Sequence, residues 1–120
     1  MKKLPKAIGP YSPYRKKGKF LVTSGQLPIN PETNTIEATT VYDQVLQCLE
    51  NIETILSIED FQIEDVLKLT VYLTDLSKFS EVNQAFEEKL SAEYPARTSI
   101  EISKLPMDAL VEIEAIVLGD

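Results

Sequence analysis

The 120-residue chain carries 12 Lys and Arg against 19 Asp and Glu, a formal charge of −7, with no histidine and one cysteine. This is the reverse of the basic footprint that a phosphate backbone demands, which makes nucleic acid a poor partner, and the missing histidines exclude histidine-ligated zinc, Ser-His or Cys-His nucleophilic catalysis and two-histidine ribonuclease chemistry within the chain. With 43% hydrophobic and 26% charged residues, the composition is that of a folded globular protein, and the length that of a single domain, residues 1–120.

The N-terminal MKKLPKAIGPYS has the charges of a signal peptide without an apolar stretch behind them. No window approaches the ~20 apolar residues of a membrane span, so the chain reads as cytoplasmic. In GKFLVTSGQLPINPETNTI the pattern predicts a strand at residues 20–24 broken at Gly25, then a Pro-Glu-Thr-Asn turn at 31–34. Thr39 or Thr40 is a fitting N-cap for the amphipathic helix that follows, with Val41, Val45, Cys48, Leu49, Ile52, Ile55 and Leu56 on one stripe. Cys48 sits inside that stripe and reads as a buried structural thiol; alone, it permits no intramolecular disulfide.

DVLKLTVYLTD alternates Leu67, Leu69, Val71 and Leu73 with Lys68, Thr70, Tyr72 and Thr74, a strand with one face on a core. Residues 75–77 supply a cap for a second helix with apolar Phe79, Val82, Phe86 and Leu90. RTSIEIS, 97–103, is another strand, and ALVEIEAIVLG, 109–119, is a last one whose apolar positions occupy most of both faces, which belongs near a sheet centre. The connection from Lys104 to Ala109 exceeds a tight hairpin and permits the last strand to insert away from its predecessor. The order predicts an α+β fold with both helices on one face of the sheet.

The other face then needs a cover, either solvent or a second subunit. It is expected to carry Tyr72, Arg97, Glu112 and Glu114. The two glutamates point the same way, about 7 Å apart by strand rise. Arg97 lies opposite Thr98, Ile100 and Ile102, so the sheet could bring cation and carboxylates into one cleft. On residue patterns alone, Glu112 and Glu114 are either partners in interface salt bridges or a working carboxylate pair.

AIGPYS at 7–12, TSGQLPINP at 23–31, VYLTD at 71–75, VNQAFE at 82–87, YPARTSIE at 94–101 and LPMDALVEIEAI at 105–116 together resemble the Rid/YjgF family of reactive-intermediate deaminases over nearly the whole chain. The resemblance implies a mixed sheet similar to that of bacterial chorismate mutase, assembled as a homotrimeric barrel with helices outside and clefts between subunits. It also implies hydrolysis of 2-imino acids, such as 2-iminobutanoate and 2-iminopropanoate, to the 2-oxo acid and ammonia, with no cofactor and no metal.

Carried over by position, Arg97 matches the family arginine that grips the substrate carboxylate, a task suited to the paired donors of a guanidinium. Glu112 corresponds to the glutamate that positions the attacking water, and Glu114 reads as structural. Tyr11 matches a cleft tyrosine, or else is an interface aromatic. Ser24 and Gly25 match a turn that lets backbone approach the ligand, or else are plain turn residues. Asn83 matches an asparagine near the cleft, or else is a polar helix-surface residue. Ser99 stands where many relatives carry cysteine, so thiol-dependent properties of relatives do not transfer. Two rival readings share the scaffold: an endoribonuclease or translation inhibitor, and a non-catalytic carboxylate-binding regulator.

Overall fold

The computed structural model describes residues 3–90 and 93–120; the first two positions of the N-terminal segment, and Ser91 and Ala92, lie outside them. In chain order the elements are β1 (Tyr14–Lys17), β2 (Phe20–Thr23), α1 (Val41–Ile58), β3 (Val66–Leu73), α2 (Phe79–Lys89), β4 (Ala96–Glu101) and β5 (Val111–Leu118). The strands form one sheet in the order β1-β2-β5-β3-β4. Its pairs are antiparallel except β3 with β4, and parallel pairing there is what the crossover through α2 requires.

The last strand inserts as expected. β5 passes over its predecessor to lie between β2 and β3, where apolar side chains on both faces are of use. Val111, Ile113, Ala115 and Val117 point from it toward the helices and are all buried. Leu69, Val71 and Leu73 from β3 join them, and the stripe of α1 closes the core from above.

α1 forms where the pattern places it. The Thr40 hydroxyl accepts the Asp43 amide at 3.1 Å, and every expected stripe residue from Val41 to Leu56 is buried. Cys48 is fully buried in it, and burial pushes its thiol well up in pKa; the charge of Glu112 adds to this while a backbone hydrogen bond at Ile113 opposes it. The thiol is therefore an inert packing group.

Polar residues inside the α1 interface act as anchors for the loop that leads out of β2. Asn51 is almost fully buried, and its amide nitrogen donates to the carbonyls of both Leu27 and Ile29, at 3.2 and 3.0 Å. Gln44 donates to the Ala38 carbonyl and accepts the Leu110 amide, tying the start of β5 to the same helix. Asn51→Ala leaves two buried carbonyls unpaired. It is expected to lower unfolding stability by about 1–3 kcal/mol, measured by urea denaturation.

Two elements differ from the sequence expectation. β1 was absent from it because YRKK offers no apolar alternation. It is an edge strand, paired with β2 alone and turned by Gly18 at φ +60°, and charged side chains are what an edge tolerates. In β3 the register shifts between Val66 and Lys68, so Val66 is buried and Leu67 is turned out, half exposed, rather than facing the core. Among the described residues no helix is long and apolar enough to cross a membrane.

Candidate functional site

The strand register overturns one sequence expectation, that Arg97, Glu112 and Glu114 share a face. Residues directly opposite across a sheet point to the same side. Arg97 is opposite Leu69, which is opposite Ala115, and both of these are buried beneath the helices. Glu112 is opposite Tyr72, and Glu114 opposite Thr70, on the uncovered side. The expectation treated Thr98 and Ile100 as the core face of β4. They are exposed, with Ile100 opposite Tyr72, and it is Arg97 that turns toward α2. One chain thus holds the cation and the carboxylates back to back.

On the uncovered face, Tyr11, Ser24, Gly25, Glu112 and Glu114 come together around an open cavity of about 560 Å³, with Ile8, Leu27 and Pro106 as apolar wall. The arrangement is fixed from below. The Ser24 hydroxyl donates to the Ser12 carbonyl at 2.6 Å and the Ser24 amide to the Pro13 carbonyl, which holds the Tyr11 segment against the end of β2. Gln26 pairs by backbone with Ile113 in both directions and its side chain donates to the Pro13 and Ser24 carbonyls, while the Thr23 hydroxyl accepts the Ala115 amide.

Gly25 has a specific reason to lack a side chain. A Cβ there would stand 2.5 Å from the Glu112 carboxyl carbon, closer than any real contact. Gly25→Ala is expected to push that carboxylate aside with the circular dichroism of the fold intact, a displacement that a crystal structure of the variant checks.

Glu112 accepts no hydrogen bond and joins no ion pair among the described residues, whereas its neighbour Glu114 accepts one from the Tyr72 hydroxyl at 2.7 Å. Burial, and secondarily the charge of Glu114, raise the Glu112 pKa above the ordinary carboxylate value. The same bond to Glu114 pushes the Tyr72 phenol up to about 12. The result is one carboxylate held by a phenol and one left free at a cavity wall.

On the helix face, Arg97 lines a second cavity of about 260 Å³ together with Asn83, Phe86, Glu87, Tyr94 and Pro95. Its Nη2 donates to Asn83 Oδ1 at 2.8 Å, and its Cζ lies 5.0 Å from the ring centroids of both Phe79 and Phe86. No carboxylate neutralises it among the described residues, and burial lowers its pKa from a value high enough that it stays a cation.

Two residues up the strand, the Ser99 hydroxyl is buried without a hydrogen-bond partner among the described residues, a position whose surroundings suit an apolar group better. Ser99→Ala is expected to be neutral or to stabilise by about 1 kcal/mol in thermal melts.

The candidate residues therefore fall into two sets, Tyr11, Ser24, Gly25 and Glu112 on one face, Arg97 and Asn83 on the other. Missed from sequence were Phe79, read as core, and the anchors Thr23, Gln26 and Asn51, whose partners are backbone groups far along the chain. Among the described residues no group of three or more His, Cys, Asp or Glu side chains could hold a metal ion.

Two helices on a five-stranded mixed sheet, with a caged arginine beneath α2 and a free carboxylate on the uncovered side, define the class of small α+β protein to which this chain conforms. The profile of the family described as endoribonuclease L-PSP matches residues 1–118, and the chain belongs to that family, also called Rid/YjgF. It is 46% identical over 112 residues to a RutC family protein of Pyrococcus horikoshii, covering 93% of this chain and 89% of that one. It is 39% identical over 117 residues to the 2-iminobutanoate/2-iminopropanoate deaminase of Escherichia coli, covering 95% and 91%. The crystal structure of RidA from the Antarctic bacterium Psychrobacter sp. superposes with a TM-score of 0.93 at 40% identity, covering 97% of this chain and 94% of that one.

Proposed function

We propose that this chain hydrolyses small 2-imino acids to 2-oxo acids and ammonia, in sites each built from two copies of the chain. The observation that carries the proposal is the division of the site: a carboxylate-binding cation on one face, a free carboxylate on the other, each open to its own cavity. Neither half is a complete imine hydrolase. Two copies in a closed ring, the helix-side edge of one against the sheet face of the next, supply both, and such a ring also covers the uncovered face with its exposed Phe20, Ile100, Ile116 and Leu118. A homotrimer satisfies this.

In that cleft Arg97 grips the substrate carboxylate with paired donors, Asn83 holding the guanidinium from behind. Glu112 takes a proton from a water as its oxygen bonds to the imine carbon, and the C=N electron pair moves onto nitrogen. Glu112 passes that proton to the nitrogen, giving a neutral carbinolamine, which then collapses: its hydroxyl proton moves by way of the Glu112 carboxylate to the amine, the C–N bond breaks, ammonia leaves, and the C=O of the 2-oxo acid forms with Glu112 again a carboxylate. Tyr11 and Ser24 border the cavity where the water and substrate meet, and Gly25 leaves room for both. Imine hydrolysis is intrinsically easy, so orientation and a single base are sufficient chemistry.

The test is complementation. Arg97→Ala and Glu112→Gln chains are separately inactive on this reading. Unfolded together and refolded as a mixture in equal amounts, they regain about one quarter of the sites, because each heterologous contact pairs one face of each copy. Mixtures that stay dead while wild type refolds active would refute the shared site, and wild type that cleaves RNA without consuming freshly generated 2-iminobutanoate would refute the reaction.

A further inference from the structure

Phe79, Asn83 and Phe86 stand at i, i+4 and i+7 of α2, one seam of the helix, and all three touch the same guanidinium. Their burial differs. Phe86 is 5% exposed and belongs to the core, whereas Phe79, at the first residue of the helix, is 36% exposed and adds little to it. This large aromatic left partly at the surface has its ring over a cation, 5.0 Å from centroid to Arg97 Cζ.

We propose that Phe79 is a positioning residue: with Phe86 it clamps the Arg97 guanidinium by its flat faces, so that the group meets a substrate carboxylate with its donor edge already aimed. The clamp rests on the reading above, in which Arg97 grips the substrate carboxylate.

A guanidinium carries five N–H donors. One goes to Asn83, and among the described residues the remaining four have no protein acceptor. An arginine side chain free to sample its rotamers would lose that freedom on each binding event; held between two rings, it has already lost it on folding. Aromatic faces do this without competing for donors, as a carboxylate would.

The experiment uses the assembled protein with Phe79→Leu, Phe79→Tyr and Arg97→Lys. For each, kcat and KM are measured on 2-iminobutanoate generated in the cuvette, and Kd for 2-oxobutanoate by calorimetry. Phe79→Leu keeps the apolar bulk and removes the ring face. It is expected to raise KM and Kd about three- to tenfold and to leave kcat within about twofold, with Phe79→Tyr restoring wild-type values. The Arg97 Nε–Hε resonance, assigned by its loss in Arg97→Lys, is expected to be ring-current shifted in wild type and in Phe79→Tyr and to relax toward the free-arginine position in Phe79→Leu. Should the leucine variant fail to fold, Phe79→Met carries the same comparison. A leucine variant with wild-type KM and Kd, alongside a weakened Arg97→Lys, overturns the clamp alone. Wild-type values in Arg97→Lys as well would overturn the carboxylate grip and the clamp together.

Discussion

Arg97→Ala is expected to lower kcat/KM on freshly generated 2-iminobutanoate by roughly 10²- to 10³-fold, the loss of two charge-assisted hydrogen bonds to one carboxylate. Arg97→Lys keeps the charge but replaces a planar fork by a point donor, and should fall between the two, with most of its loss in KM. The effect belongs to binding rather than folding. Arg97 faces a cavity, has one side-chain hydrogen-bond partner beside its two aromatic contacts, and neutralises no buried carboxylate among the described residues, so either variant should melt near the wild-type temperature. Wild-type clearance of the imine by Arg97→Ala would end the argument for a carboxylate grip.

Glu112→Gln should separate activity from stability. Loss of the base is expected to lower kcat by about 10²- to 10⁴-fold. The fold should gain, because the Glu112 carboxylate is half-buried beside Glu114 without a hydrogen bond among the described residues, and its pKa is raised by that burial first and by the neighbouring charge second. With the folded-state pKa above that of the unfolded chain, the unfolded chain releases its proton first as pH rises. The contribution of Glu112 is thus most favourable below the ordinary glutamate value and is lost as pH climbs through the raised one. Glu112→Gln should therefore melt higher than wild type at pH 7, with the gap closing as pH is lowered toward 4. A glutamine variant that melts lower than wild type at neutral pH would contradict the electrostatic account. The acid limb of the wild-type kcat/KM profile, which reports the free protein, should lie above the ordinary glutamate range for the same reason.

What the sequence made legible follows the range of each interaction. The α1 stripe, its Thr40 cap and the central place of β5 are local patterns of periodicity, and all appear in the structure. The charged edge strand β1 and the shift at Leu67 are not periodic, and escaped. Whether Arg97 or Thr98 faces the helices was a question of register between distant strands. Both alternations are compatible with RTSIEIS, because neither face of that edge strand is strongly apolar: Thr98 and Ile100 are exposed, and Arg97 is only partly buried. The family resemblance names the residues of both halves of the candidate site, but not their separation to opposite faces, since it speaks of residues and not of sides. Phe79 was misread for a related reason. A phenylalanine at helical spacing says apolar stripe, and nothing in the local pattern says that its neighbour is a cation from a strand beyond the helix.

The opposition of Arg97 and Glu112 across one layer of sheet has a consequence for the newly made chain. On the two-copy reading, a monomer fresh from synthesis is folded yet chemically silent, and its imine-clearing capacity switches on with crowding by its own kind. Output then scales more steeply than linearly with expression at low abundance, and a diluted sample should lose specific activity while its spectrum stays native.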